Sequence, residues 1–314
     1  MKRFSPARLL AVLVAAGTIG ACSDAATTAP AHPAARPDLI DAGSFTTIDI
    51  PGATATVAFA INDKGEIVGR YASAGRSHGF VRSAAGELTT IDFPGATLTV
   101  AAAIDNRGDI VGWYNLPSGR HAFVLRDGVF TTVDPPGSTS AGALGINDRG
   151  DIVGRFCTRT VCRELGNGDF RGFLLRDGEF TTLDVPGSNE THGWKINNRG
   201  EIVGAFGAAG GGIQLFLLRN GELTTFALPN GKPPSDDNGG INARGDIVGK
   251  YCDASPCLAG RPSGGHGFVL SDGRLTTIDV PGALGTAAFG INARREIVGG
   301  YFDAGGALHA YVMR

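Results

Sequence analysis

Charged residues are scarce in this chain. They form 18% of its 314 residues, against about 25% in typical globular proteins. Acidic side chains outnumber basic ones, 30 to 28, so the chain lacks the basic surface with which a nucleic-acid-binding protein displaces counterions. After the first residues, no stretch combines helix formers with helical periodicity. These absences argue against a nucleic-acid partner and against a helical fold.

Glycine is abundant instead. The sequence holds 49 glycines and 16 prolines, a composition typical of many short strands joined by tight turns. One pattern occurs six times: a run with Thr-Thr, a turn with Pro and Gly, a segment of the type IN..G.IVG, and a run like HGFV. Four short strands in about 43 residues match the size of a propeller blade. The Thr-Thr runs begin at Phe45, Leu88, Phe130, Phe180, Leu223 and Leu275.

The repeats predict an all-β fold: a six-bladed β-propeller of four-stranded blades over residues 44–314. The last copy ends at Arg314 without a Thr-Thr run, and the first Thr-Thr run has no copy before it. We expect strand 45–50 to pair with strand 309–313, which would close the ring and remove a free sheet edge. Five copies carry Gly in the turn before the IVG segment, whereas the sixth carries Arg295, where we expect backbone strain.

The repeat also resembles a known family. His121-Ala122-Phe123, together with the GIN..G.IVG pattern, resembles the HAF repeats of bacterial extracellular proteins over nearly all of residues 45–314. The resemblance implies an exported or surface protein with a propeller-like fold. It implies no established activity.

The N-terminus has the pattern of an export signal. Residues 1–21 hold a basic start and an apolar run from Leu9 to Ala16 that is too short to span a bilayer. Ile19-Gly20-Ala21-Cys22 resembles the lipobox of bacterial lipoproteins, which implies cleavage before Cys22 and a lipid on its sulfur; an ordinary signal with a chance cysteine is the alternative. By the same resemblance, Ser at position 23 in place of Asp implies the outer membrane or cell surface. Residues 22–43 then form a lipidated, flexible tether, the chain's single membrane contact.

The other four cysteines lie in two insertions, in copies three and five. Cys157 with Cys162, and Cys252 with Cys257, form two even pairs, which in an exported protein predict local disulfides. A four-thiolate zinc site is the alternative. It is disfavoured because copies three and five are not neighbouring blades.

Two polar positions recur along the copies, one held by histidine in four of them and one by aspartate in five. We interpret the histidines as hydrogen-bonding neighbouring turns and the aspartates as stabilising Asx-type turns. Neither a metal nor a cofactor is expected. The histidines are His78, His121, His266 and His309, and the aspartates are Asp49, Asp92, Asp134, Asp184 and Asp279.

Variable connections on a rigid scaffold are where binding usually resides. The connection 188–195 carries Glu190, His192 and Trp194, our candidate binding residues, with Trp194 either exposed to a sugar or peptide or plugging the ring interior. We predict a monomeric, surface-anchored binding module for a protein, peptide or glycan, with no catalytic residue assigned. The alternative is a propeller hydrolase or lyase that acts on extracellular polymers at the central channel.

Overall fold

A computed structural model describes residues 44–159, 162, 169–208, 210–235, 239–253 and 264–314. The predicted signal peptide and tether, residues 1–43, lie outside this part. Its regular structure is entirely β. No helix in the described ranges could cross a membrane.

The strands are short, and apolar runs alternate with tight turns. Their bounds are β1 (Phe45–Ile48), β2 (Ala55–Ile61), β3 (Ile67–Ser73), β4 (Arg76–Arg82), β5 (Leu88–Ile91), β6 (Leu98–Ile104), β7 (Ile110–Leu116), β8 (Gly119–Arg126), β9 (Val129–Thr132), β10 (Ser140–Ile146), β11 (Ile152–Cys157), β12 (Arg171–Arg176), β13 (Glu179–Leu183), β14 (Glu190–Ile196), β15 (Ile202–Gly207), β16 (Ile213–Arg219), β17 (Glu222–Phe226), β18 (Gly240–Ile241), β19 (Ile247–Cys252), β20 (Gly265–Ser271), β21 (Arg274–Ile278), β22 (Gly285–Ile291), β23 (Ile297–Phe302) and β24 (Leu308–Met313).

Hydrogen bonding joins the strands in antiparallel groups. Strands β10 to β13, β14 to β17 and β18 to β21 form three four-stranded sheets in chain order, each made of three strands of one copy and the Thr-Thr strand of the next. The remaining strands form one twelve-stranded sheet. Single parallel contacts, Ala55 with Leu308 and Ser77 with Leu98, join its parts.

The first strand pairs with the last. Phe45 lies opposite Met313 and Ile48 opposite Ala310, so the paired segment is shorter than the predicted 45–50 and 309–313. Side chains reinforce it: Thr47 Oγ1 lies 2.9 Å from the Tyr301 hydroxyl. Strand β1 therefore occupies, beside β24, the place that the Thr-Thr strand of the next copy takes elsewhere.

The glycine of each IVG segment is explained by a close approach of backbone and ring. A Cβ on Gly69 would lie 2.0 Å from the Val57 carbonyl oxygen and 2.7 Å from the Phe80 ring. No side chain fits at such distances, so any substitution would force strands β2, β3 and β4 apart. The rings that fill this place in the six copies are fully buried: Phe80, Phe123, Phe173, Phe216, Phe268 and Tyr311.

Arg295 does adopt the strained backbone expected of it, with φ +65°. An ion pair offsets the strain: its Nε and Nη2 lie 2.9 and 3.0 Å from the carboxylate of Asp246. From here on the strands of a copy are counted from the strand that ends in IN, so that the IVG strand is the second and the HGFV-like strand is the third. Elsewhere an arginine at the end of the third strand takes this role, as Arg176 does for Asp151. Copy five has Ser271 there, so an arginine from copy six replaces the missing one.

Candidate functional site

Strands β2, β6, β10, β14, β18 and β22, called the inner strands below, come together about a common axis. At one end, the turn end, the residues that follow these strands surround a depression of about 430 Å³, open solvent included. The opposite end, the loop end, holds the starts of the inner strands and the connections between the second and third strands of each copy. The two ends have different side-chain chemistry.

At the turn end, side-chain amides link neighbouring copies in sequence. Asn292 donates from Nδ2 to the carbonyl oxygen of Asn62 at 3.1 Å, and Asn62 donates to that of Asp105 at 3.0 Å. Asn147, Asn197 and Asn242 each donate in the same way to the next copy. Asp105 has no amide, and its carboxylate accepts from Arg107 instead.

A second polar layer covers this one. Asn106 Nδ2 donates to the Asp63 carboxylate at 3.0 Å and to the Asp148 carboxylate at 2.9 Å, and Asn198 also donates to Asp148. Ala243 and Ala293 occupy the equivalent positions in copies five and six. Among the residues the structure describes, no group of three His, Cys, Asp or Glu could hold a metal ion.

The structure brings the three candidate binding residues together, but in the interior. Glu190, His192 and Trp194 lie on β14, whose seven residues are all buried, and they are 1%, 3% and 2% exposed. Their expected place in an exposed connection is wrong, because the strand begins at Glu190. Trp194 packs with Leu144 in the core, which is the interior one of its two expected placements. Their role in binding stays a prediction.

Glu190 and His192 do not form an acid–base pair. His192 Nε2 lies 3.8 Å from the Glu190 carboxylate, beyond hydrogen-bond distance. Burial, and then the positive charge of Arg155, hold the pKa of His192 well below its usual value, so the ring is neutral. A buried neutral imidazole without a hydrogen bond to its neighbouring carboxylate is not set up for proton transfer.

Lys195, beside this group, was missed from the sequence. Its Nζ donates to the carbonyl oxygens of Ala102 at 3.1 Å and Leu144 at 2.6 Å, so it ties copy four to copies two and three. Burial lowers its pKa to about 7. Comparing the copies could have found it, because the equivalent positions hold small residues: Ala60, Ala103, Gly145, Gly240 and Gly290.

The cysteine predictions are confirmed where the structure describes them. Cys157 and Cys162 form a disulfide, which removes both from the alternative zinc site. Cys252 is disulfide-bonded, and its expected partner Cys257 lies outside the described residues.

The recurring histidines and aspartates bind one another. His78 Nδ1 lies 2.9 Å from Asp92, and His309 Nδ1 lies 2.8 Å from Asp49 on the first strand. The histidine interpretation is thus right, whereas Asx-type turns do not account for these aspartates. His121 with Asp134, His266 with Asp279, and Arg171 with Asp184 repeat the contact.

The loop end carries a feature that the sequence analysis did not identify. In each copy, one residue of the second strand and one residue at or next to the start of the third strand hold equivalent positions at this end. Copies two and three place an arginine over an aromatic ring here: Arg120 lies 5.8 Å from the Trp113 ring, and Arg155 lies 4.7 Å from that of Phe170. The pairs, in copy order, are Arg70 and Ser77, Trp113 and Arg120, Arg155 and Phe170, Ala205 and Ile213, Lys250 and Gly265, and Gly300 and Leu308.

Solved structures share this fold at low identity. The β-propeller domain of the Trilobed protease from Pyrococcus furiosus, described as having an open velcro topology, is 12% identical, with a TM-score of 0.51 over 84% of this chain and 79% of that one. TolB from Acinetobacter baumannii is 10% identical, with a TM-score of 0.50, over 82% of this chain and 54% of that one. AofleA from Arthrobotrys oligospora is 14% identical, with a TM-score of 0.51, over 87% of each. No family model and no curated protein matches. The chain is therefore an all-β protein with propeller neighbours, a likeness that concerns fold alone.

Proposed function

We propose that this protein is an exported, lipid-anchored binding module: a closed, six-bladed propeller whose loop end recognises a protein, peptide or glycan. Closure is supported by the pairing of β1 with β24 and by the amide of Asn292, which reaches Asn62 across the same junction. Each blade then consists of one inner strand and the three strands that follow it.

The observation that carries the binding role is the composition of the loop end. Trp113 is partly exposed beneath Arg120 and lies beside the Phe59 ring of an inner strand. Tryptophan and arginine are the residues most enriched where partners bind tightly. The disulfide between Cys157 and Cys162 begins at the end of β11, which lies at this same end.

At the loop end, where the variable connections lie, a hydrolase or lyase would need polar groups that converge on the axis. Phe59 and Phe289 pack there, 5.6 Å apart, and Trp194 fills the interior beside Leu144. His192, the titratable ring of the candidate group, is neutral and buried. These contacts favour binding over catalysis.

Capture from an envelope extract tests the proposal. The bait is the full chain in mild detergent, compared with a variant in which both insertions are shortened to the length of the Ala74-Gly75 turn of copy one. We expect the variant to retain its unfolding midpoint and to lose partners. Equal capture by both would contradict a role for the loop end.

The anchor is tested separately: fatty-acid labelling should disappear in Cys22→Ser.

A further inference from the structure

The second polar layer of the turn end is a series of hydrogen bonds from copy to copy. In four copies, the second residue after the inner strand donates its backbone N–H to a side-chain oxygen at the same position of the next copy. The bonds are 2.8 or 2.9 Å long and run from Asp63 to Asn106, Asn106 to Asp148, Asp148 to Asn198 and Ala293 to Asp63. The layer therefore depends on an oxygen-bearing side chain at this position.

Copies five and six lack that oxygen, because Ala243 and Ala293 hold the position. We call the places beside these two methyl groups the copy-five gap and the copy-six gap. In the described part of the chain, the N–H groups of Asn198 and Ala243 consequently have no hydrogen-bond acceptor. Both residues are exposed and line the depression at the turn end. Two neighbouring donors thus remain available to a ligand.

Asn198 offers the same donors that hold a carboxylate elsewhere in the layer. Asn106 binds the Asp148 carboxylate with its backbone N–H at 2.8 Å and its Nδ2 at 2.9 Å, one to each oxygen. Asn198 has these two groups at the equivalent position. Its Nδ2 donates to Asp148 at 2.6 Å, which uses one of the two N–H bonds of the amide. The other amide N–H and the backbone N–H are left for a carboxylate in the copy-five gap.

A positive charge adjoins the copy-five gap. Arg244 follows Ala243 directly and is exposed. At the same position of copy four, Arg199 contacts the acid two residues further on at 3.0 Å. The corresponding acid of copy five, Asp246, is bound by Arg295, and among the described residues no side chain pairs with the Arg244 guanidinium. An exposed arginine beside two N–H donors favours a negatively charged ligand.

The copy-six gap favours a neutral group instead. Its donor is the N–H of Ala243, and beside it the Asp63 carboxylate accepts from the N–H of Ala293 at 2.8 Å. A second negative charge in this gap would face Asp63. Where the layer is complete, an amide lies between two carboxylates: Asn106 donates to Asp63 at 3.0 Å and to Asp148 at 2.9 Å. An amide in the copy-six gap would have the same surroundings.

We propose that the two gaps bind the carboxyl terminus of a peptide, with its carboxylate against Asn198 and Arg244 and its last peptide amide in the copy-six gap. Capture of a terminal carboxylate by backbone N–H groups is a known mode of peptide recognition. The ligand completes the alternation of carboxylate and amide groups around the layer. This site lies opposite the loop end and is independent of the binding role proposed for that end.

NMR of backbone amides in the full chain, held in detergent, tests the site. The probe is N-acetyl-alanyl-alanine, and the control is its C-terminal carboxamide, which differs only in lacking the negative charge. We expect the acid to shift the amide protons of Asn198 and Ala243 saturably. The amide proton of Asn106, already bonded to Asp148, should stay in place. Acetate should shift Asn198 alone and bind about fivefold more weakly, because it has no amide.

Three variants separate the site from a general charge effect. Ala243→Asp places a carboxylate in the copy-five gap, as Asp148 does in copy three, so it should abolish binding and raise the urea midpoint. Arg244→Gln should weaken binding about threefold or more. Lys64→Gln is the matched control, because Lys64 holds the same position in copy one, where Asp63 supplies the oxygen. It should leave binding unchanged.

Several results would overturn the assignment. Equal shifts with the carboxamide, equal weakening by Lys64→Gln, or binding that survives in Ala243→Asp would each do so, as would a lower urea midpoint for that variant. Equal affinity for acetate and for the peptide acid would show that any free carboxylate suffices, and would overturn the place given to the peptide. Partner capture that depends on the insertions is a separate measurement, so its failure and the failure of this site are distinguishable.

Discussion

The two ends of the axis differ in where their polar groups are directed. At the turn end, Asn, Asp and Arg side chains bind the next copy, so that Asn197, for example, is engaged by both Glu201 and the carbonyl oxygen of Asn242. At the loop end, Arg120 lies over the Trp113 ring and Arg155 over the Phe170 ring, and the arginines and Trp113 keep part of their surface exposed. Outside the gaps of copies five and six, the same repeat thus joins copies at one end and leaves chemistry available at the other. Stability and recognition should therefore respond to different substitutions.

The largest change in stability is expected for Lys195→Met, a substitution in the interior between the two ends. The folded-state pKa of Lys195 is lowered to about 7 by burial, whereas the unfolded value is about 10.4. Between these values the unfolded chain binds more protons, so the stability of the wild type should rise with pH, by up to about 1.4 kcal/mol per pH unit. Lys195→Met should lack this slope. Denaturant unfolding from pH 7 to 10 measures it, and parallel curves would show that the amine is not buried.

A second, smaller effect should appear at the turn end with Arg295→Gly. The change relieves the positive φ but takes the partner from Asp246, a carboxylate only 5% exposed, so we expect a loss of about 3 kcal/mol at neutral pH. Adding Ser271→Arg should restore most of it, because this recreates the arrangement of copies three and four. If the double variant is no more stable than the single one, Arg295 does not substitute for the missing third-strand arginine.

The same pair predicts a pH dependence. Burial raises the pKa of Asp246, but hydrogen bonds from Arg295, Ser271 and Asn242 outweigh it and the pKa is lowered. A lowered carboxyl pKa contributes stability above the unfolded value of about 3.9 and loses it as the pH falls through the folded value. The difference between wild type and Arg295→Gly should therefore shrink below about pH 4. An undiminished difference in acid would assign the effect to packing.

These compensations mark the limit of what the sequence predicted. Repeat spacing predicted four strands per copy and the pairing of Phe45 with the C-terminus, because turn glycines and apolar runs are local signals. It placed Glu190 and His192 in a loop, since polar residues at a strand start read as a connection. The sequence predicts the strain at Arg295 but not the ion pair that offsets it, because the partner Asp246 lies in another copy. Contacts between copies depend on how the copies pack, and spacing within a copy carries no information on that.

The smallest change in stability is expected for substitutions in the layer of side-chain amides that links neighbouring copies. Asn292→Asp removes the donor to Asn62 and sets a carboxylate against Glu296, now 2.6 Å from the amide, so we expect a loss of about 2 kcal/mol. Asp105→Asn is the matched opposite. It supplies the one absent amide, and it removes the buried charge of Asp105 while Arg107, which is half exposed, keeps Asp109 as a partner. Stability should therefore stay within about 1 kcal/mol of wild type or rise. Urea midpoints measure both. Equal losses in the two variants would mean that the amide layer does not hold the copies together and forms only because the copies pack in this way. The turn end would then have no stabilising role of its own, and the two ends would differ only in the chemistry of the loop end.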